Sequence, residues 1–122
     1  AAQYADTLSG GIRQRAFFAM ALAQDCDYIV LDEPTTYLDL KGQRELTEMI
    51  LQLKNHGKTV ILVLHDIGQA LRISDTVVIM HDRKIAATAT PEECLRQHII
   101  ETVFDVRLKE FSDGEGCYYF FY

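Results

Sequence analysis

Three short clusters in the sequence combine residue types that could handle a phosphate group. Ser9-Gly10-Gly11 stands at the start of a helix-forming run, Asp32 and Glu33 follow one apolar stretch, and His65-Asp66 follows another. A helix start offers backbone N–H groups to an anion. A carboxylate oxygen suits Mg²⁺, a second carboxylate can polarise a water for attack on phosphorus, and a histidine can hydrogen-bond the transferring phosphoryl group. The clusters therefore favour phosphoryl-transfer chemistry.

Each cluster alone also has an ordinary structural interpretation. Ser9 could be a helix N-cap, Asp32 and Glu33 a solvated acidic turn, and His65 a hydrogen-bonded structural histidine. The pair His81-Asp82 shows how readily such residues occur at a hairpin turn. The two His-Asp pairs could also suggest a metal phosphohydrolase, but their spacing does not suit ligands that must converge on one ion.

The elements that must position these clusters alternate between helix and strand. The residue types predict a helix over Ile12–Gln24, and apolar spacing predicts another over Gly42–Asn55 that stops at Gly57. Tyr28–Leu31 and Lys58–Leu64 are typical of buried strands. This order predicts an α/β fold, a parallel sheet with crossover helices, in which functional groups gather at the strand ends.

The rest of the chain predicts hairpins and short helices. The expected elements are a short helix over Ile67–Arg72, an antiparallel hairpin of Thr76–Met80 and Lys84–Thr88, one or two helices over Glu92–Phe104, and a last hairpin that ends in Cys117–Tyr122. The turn of the first hairpin lacks the glycine that such turns favour.

Composition limits the class of protein. The 122 residues are 48% hydrophobic and 25% charged, which is typical of one soluble globular domain, and no apolar run approaches the length of a membrane helix. A net charge of −6 argues against sequence-independent nucleic-acid binding. Three widely spaced cysteines, with no CxxC pair, indicate free thiols in a reducing compartment.

The order of the clusters resembles a known family. Leu8–Gly11, Leu31–Thr35, Leu38-Asp39 and His65-Asp66 are similar, in that sequence, to the signature motif, Walker B motif, D-loop and switch histidine of ABC ATPases. The resemblance is strong from Leu8 to the hairpin at Lys84. It implies that residues 1–122 form the C-terminal portion of a single ABC ATPase domain, with a partial P-loop NTPase-like parallel sheet followed by the C-terminal hairpins and short helices.

The resemblance also implies residues that meet a partner subunit. Ser9, Gly10 and Gly11 would contact the γ-phosphate of an ATP held mainly by a second ATPase subunit in a head-to-tail homodimer. Asp39 would cross the interface of that dimer. Ile12 stands where the family usually has Gln or Glu, which weakens the polar contacts expected of the signature loop.

Within the same resemblance, three residues would serve hydrolysis in their own subunit. Asp32 would bind Mg²⁺ through water, Glu33 would act as the general base, and His65 would sense the γ-phosphate. These roles agree with the chemistry expected from the residues themselves, in which one anion site, one acid pair and one strand-end histidine occur together.

Less specific sequence features resemble one branch of the family. Thr35–Asp39, Thr90–Glu93 and Val103–Val106 look most like ATPases of iron–siderophore, haem or cobalamin importers. This implies an ATP-binding and ATP-hydrolysing subunit, peripheral on the cytoplasmic face of the cell membrane. Its partners would be transmembrane permease subunits, with no nucleic acid.

One motif of the family is missing from the sequence. There is no G-x-x-x-x-G-K-[ST], and the glutamine loop is absent too. We therefore expect a C-terminal fragment that alone neither binds ATP tightly nor hydrolyses it, and that self-associates through strand edges and the aromatic Tyr118–Tyr122. Two alternatives stay open, namely a non-catalytic half that completes the ATP site of another chain, and a non-transport ABC ATPase, against which the acidic balance counts.

Overall fold

The computed structural model of the protein describes residues 10–24, 26–114 and 116–122, and of residues 10–15 only the backbone. Internal contacts divide the chain into two compact units, with the boundary between His65 and Asp66. Of the helices described, none combines the length and apolar character needed to cross a membrane. The first unit holds α1 (Gly10–Ala23), β1 (Tyr28–Asp32), α2 (Leu40–Asn55) and β2 (Thr59–Val63).

The first unit is built on a parallel pair of strands. β1 and β2 pair in register from Tyr28 opposite Thr59 to Asp32 opposite Val63, and α2 is the crossover between them. Parallel neighbours require such a crossover because a short hairpin cannot return the chain to the same end of the sheet. The predicted α/β arrangement is confirmed.

Local chemistry determines where α2 begins and ends. The Asp39 carboxylate accepts a hydrogen bond from the backbone N–H of Gly42 at 2.7 Å, as an N-cap does. At the other end Gly57 has a φ of +76°, a left-handed conformation that glycine adopts at little cost. Between these ends α2 buries Leu46, Ile50 and Leu53.

The core of the first unit lies on one face of the strand pair. Ala21, Ile29 and Leu53 are its buried members. The other face is open, because the side chains of Tyr28 and Val30 are 70% and 66% exposed. The apolar sequences predicted buried strands, and within the described unit this is wrong for one face, because the packed helices cover only the other.

The second unit joins two hairpins with three short helices. It contains α3 (Ile67–Ile73), β3 (Val77–His81), β4 (Lys84–Ala89), α4 (Pro91–Arg96), α5 (Ile99–Phe104), β5 (Leu108–Asp113) and β6 (Gly116–Phe121). Both strand pairs are antiparallel. Asp82 and Arg83 have φ angles of +49° and +61°, so the first hairpin adopts the left-handed turn without a glycine. The core of this unit is the buried set Leu71, Ile79, Cys94 and Ile100.

Capping side chains begin the short helices of the second unit. Asp66 accepts from the N–H of Gln69 at 2.9 Å at the start of α3. Thr90 and Glu93 form a reciprocal capping box at the start of α4. The hydrogen bonds from Thr90 lower the pKa of Glu93 below its ordinary value of 4.5, because they favour the ionised carboxylate.

Helix α3 packs closely against β6 at Gly68, and a substitution there tests this contact. A Cβ at this position would stand 2.8 Å from the backbone oxygen of Tyr119. We expect Gly68→Ala to lower the free energy of unfolding by about 1–3 kcal/mol, because a backbone neighbour cannot rotate away. Urea unfolding followed by circular dichroism measures the loss. Gly114→Ala is the matched control, since nothing lies within 4 Å of its added Cβ. A Gly68→Ala protein as stable as the control would contradict the close packing.

Substitutions at Asp39 test how much the N-cap of α2 contributes to stability. Asp39→Ala removes the acceptor for the Gly42 N–H, and we expect a loss of about 1 kcal/mol in unfolding free energy, the usual value of an N-cap. Asp39→Asn keeps an oxygen acceptor and should retain most of the stability. The same urea titration compares the two, and an Asp39→Ala protein as stable as wild type would show that the cap contributes nothing.

Candidate functional site

The end of the strand pair brings two predicted residues together. Because β1 and β2 are parallel, their carboxyl ends share one edge of the sheet. Pairing continues one residue past β1, where the Glu33 N–H donates to the Val63 carbonyl at 3.0 Å. His65 follows β2, and its Nε2 lies 2.5 Å from Oε1 of Glu33. A carboxylate and an imidazole, 32 residues apart in sequence, are therefore hydrogen-bonded at this edge.

The backbone turns sharply at Glu33. Its φ of +47° lies in the left-handed region, which is uncommon for a residue other than glycine. The carbonyl of Glu33 accepts from the Thr36 N–H at 3.3 Å, and the Thr35 carbonyl accepts from the Leu38 N–H at 3.1 Å. This chain reversal leads directly into the Asp39 cap of α2, so the loop is held at both ends.

The Glu33–His65 pair is open to solvent within its unit. The His65 side chain is 79% exposed and that of Glu33 40% exposed. This contact is a hydrogen bond from His65 to Glu33 when Nε2 carries the imidazole proton, because a carboxylate oxygen accepts. The arrangement can hold a carboxylate beside a proton donor at an accessible surface, which is a geometry suited to proton transfer.

Asp32 occupies the last position of β1 and is exposed. Its carboxylate is the oxygen donor that Mg²⁺ prefers, and Mg²⁺ at phosphate sites commonly takes one or two carboxylates and keeps several waters. Within the described residues no group of three or more His, Cys, Asp or Glu side chains could hold a metal ion. Asp32 therefore offers a single carboxylate that could bind a magnesium ion.

The other predicted site residues are Asp39, Gly10, Gly11 and Ser9. Asp39 is exposed and caps α2 with Oδ1. Gly10 and Gly11 are the first residues of α1. Ser9 lies outside the described residues.

Thr36 contacts the site although no sequence pattern predicts a role for it. The Thr36 hydroxyl donates to Oε2 of Glu33 at 3.3 Å. Its position three residues after an acid in a turn is the only signal in the sequence, and Ser and Thr bond locally in so many turns that it identifies no target.

Comparisons with known proteins agree with this architecture. A family model described as ABC transporter matches residues 1–36. The achromobactin transport ATP-binding protein CbrD of Dickeya dadantii is 47% identical over 102 residues, which cover 83% of this chain and 38% of that protein. The petrobactin import ATP-binding protein FpuD of Bacillus anthracis is 43% identical over 107 residues, covering 87% and 39%.

A solved structure supports the same relationship. A protein described as a metal-chelate type ABC transporter in an inward-facing conformation superposes with a TM-score of 0.80 at 25% identity, covering 97% of this chain and 48% of that one. The chain spans less than half the length of these relatives. The matched family model, the sequence relatives and the fold agree, and this chain is similar in sequence and fold to part of the ATP-binding proteins of ABC transporters.

Proposed function

We propose that a longer protein carrying this segment is the ATP-binding and ATP-hydrolysing subunit of an ABC importer for iron complexes. The observation that carries the proposal is the contact between the Glu33 carboxylate and the His65 imidazole, at 2.5 Å on the carboxyl edge of two parallel strands. The cargo class follows from relatives named for achromobactin and petrobactin transport.

In this proposal Glu33 is the general base. Its Oε1 accepts a hydrogen bond from the imidazole of His65. The carboxylate is therefore oriented before a water molecule binds. When a carboxylate takes a proton from a water molecule, the oxygen of that water becomes a better nucleophile toward phosphorus. His65 senses the γ-phosphate, and its high exposure leaves the imidazole free to move from the carboxylate to a phosphate oxygen.

Asp32 is the residue that would hold Mg²⁺, through water, beside the base. When bound, the ion would supply charge neutralisation to the phosphate groups of ATP. Ser9, Gly10 and Gly11 are assigned to the γ-phosphate of an ATP held mainly by a second subunit, because a helix start presents backbone N–H donors. Asp39 is assigned to the interface of that head-to-tail homodimer, in addition to its cap.

The partners and location follow from the importer assignment. We infer that the longer protein docks on transmembrane permease subunits at the cytoplasmic face of the membrane as a peripheral subunit. The 122-residue chain carries no P-loop sequence, and we expect no measurable ATP turnover from it alone.

Glu33→Gln in the longer protein tests the activity. We expect kcat for ATP hydrolysis to fall at least about 100-fold with little change in KM, because a general base contributes about that much and the amide keeps the same length. Phosphate release measures the rate. Glu48→Gln, on the exposed side of α2 in an ion pair with Arg44, is the control and should keep full activity. A wild-type protein that does not hydrolyse ATP would contradict the proposed activity. An active Glu33→Gln variant would contradict the assignment of Glu33 as general base.

Self-association of the segment is a separate part of the proposal. The outer face of β1 and β2 exposes Val30 by 66% and Ile61 by 48%, and β6 exposes Phe120 by 61%. We expect light scattering to give a mass that rises with concentration, since exposed apolar strands pair with other chains. Val30→Lys should lower that mass, whereas Gln52→Lys, the same charge on an exposed helix position, should not. A monomeric mass at high concentration would contradict the expectation.

A further inference from the structure

The two carboxylate oxygens of Glu33 are held by two different donors. His65 Nε2 contacts Oε1 at 2.5 Å, and the Thr36 hydroxyl donates to Oε2 at 3.3 Å. A glutamate side chain has three rotatable bonds, and at 40% exposure packing alone does not hold this one. One donor on each oxygen defines the plane of the carboxylate, which a single donor does not.

Thr36 is itself held in place by the loop. Its N–H donates to the Glu33 carbonyl at 3.3 Å, so backbone and side chain of Thr36 both bond the same residue. Further along, the Leu38 carbonyl accepts from the side-chain amide of Gln43 at 3.2 Å, which ties the loop to α2. The hydroxyl is thus presented from a segment anchored to the strand on one side and to the helix on the other.

We propose that Thr36 is a positioning residue that orients the Glu33 carboxylate for proton transfer, an inference that rests on the proposed function of Glu33. The hydroxyl occupies one acceptor site of Oε2, and the carboxylate keeps further lone pairs that can take a proton. Without it the carboxylate keeps only the His65 contact and can rotate about its last bond. A base that spends less time in the reactive orientation lowers the rate of the chemical step and leaves nucleotide affinity unchanged.

Three variants of the longer protein test this inference. Thr36→Val replaces the hydroxyl by a methyl of similar shape, and Thr36→Ser keeps the hydroxyl. Thr47→Val is the matched control, because the Thr47 hydroxyl donates to the Gln43 carbonyl at 2.9 Å inside α2, away from the carboxylate. The readouts are kcat and KM for ATP hydrolysis, with thermal unfolding of each variant as the measure of folding.

The expected result is a kcat about five- to tenfold lower for Thr36→Val, with KM within about twofold of wild type. Tenfold corresponds to about 1.4 kcal/mol at the transition state. Thr36→Ser should recover most of the rate, and Thr47→Val should match wild type. An equal kcat for Thr36→Val and wild type overturns the positioning role, as does a loss that appears only in KM or follows a lowered unfolding temperature.

The failure of this inference is distinguishable from failure of the proposed function. If Glu33→Gln abolishes hydrolysis and Thr36→Val does not slow it, Glu33 is still supported as the general base and the positioning role of Thr36 is wrong. If the wild-type protein hydrolyses no ATP, or if Glu33→Gln stays active, the general-base assignment falls and the role of Thr36 falls with it.

Discussion

The parallel pairing of β1 and β2 is the constraint on which the candidate site depends. The strands align residue for residue up to Asp32 opposite Val63, and the Glu33 N–H adds one more bond to the Val63 carbonyl. A slip of one residue would turn Ile29 out of the core, since side chains alternate between faces. It would also carry Glu33 about 3.3 Å along the sheet, the rise of one strand residue, and out of reach of His65. Burial of the core and assembly of the site therefore require the same register.

Much of this arrangement could be predicted from the sequence. Apolar spacing through Leu46, Ile50 and Leu53 indicated α2, and the glycine at 57 indicated where it stops. The apolar stretches ending at Asp32 and near His65 indicated strands whose ends carry the polar groups. These features are local or periodic, so they can be recognised in a single amino-acid sequence. That Glu33 and His65 meet follows from one added rule, that consecutive strands separated by a helix run parallel.

Other features could not be predicted because they depend on geometry that residue type does not report. Asp82 and Arg83 form a left-handed turn without glycine, since the pairing of β3 with β4 imposes it. The exposure of Tyr28 and Val30 depends on what packs on the sheet, and an apolar strand looks the same with one face covered or two. The Thr36 hydroxyl could have bonded any nearby carbonyl, and its choice of the Glu33 carboxylate is set by the turn.

The left-handed backbone of Glu33 restricts how position 33 can be explored by mutagenesis. A φ of +47° is tolerated by Gly, Asn and Asp and is costly for side chains branched at Cβ. Replacement by Val, Ile or Thr would therefore disturb the turn and the carboxylate together, and the resulting loss could not be assigned to either. The activities of variants in a saturation library at position 33 will therefore depend on two separate properties. One is the charge and length of the new side chain, and the other is whether it branches at Cβ. Only substitutions with an unbranched Cβ separate the chemistry of the side chain from the conformation of the chain.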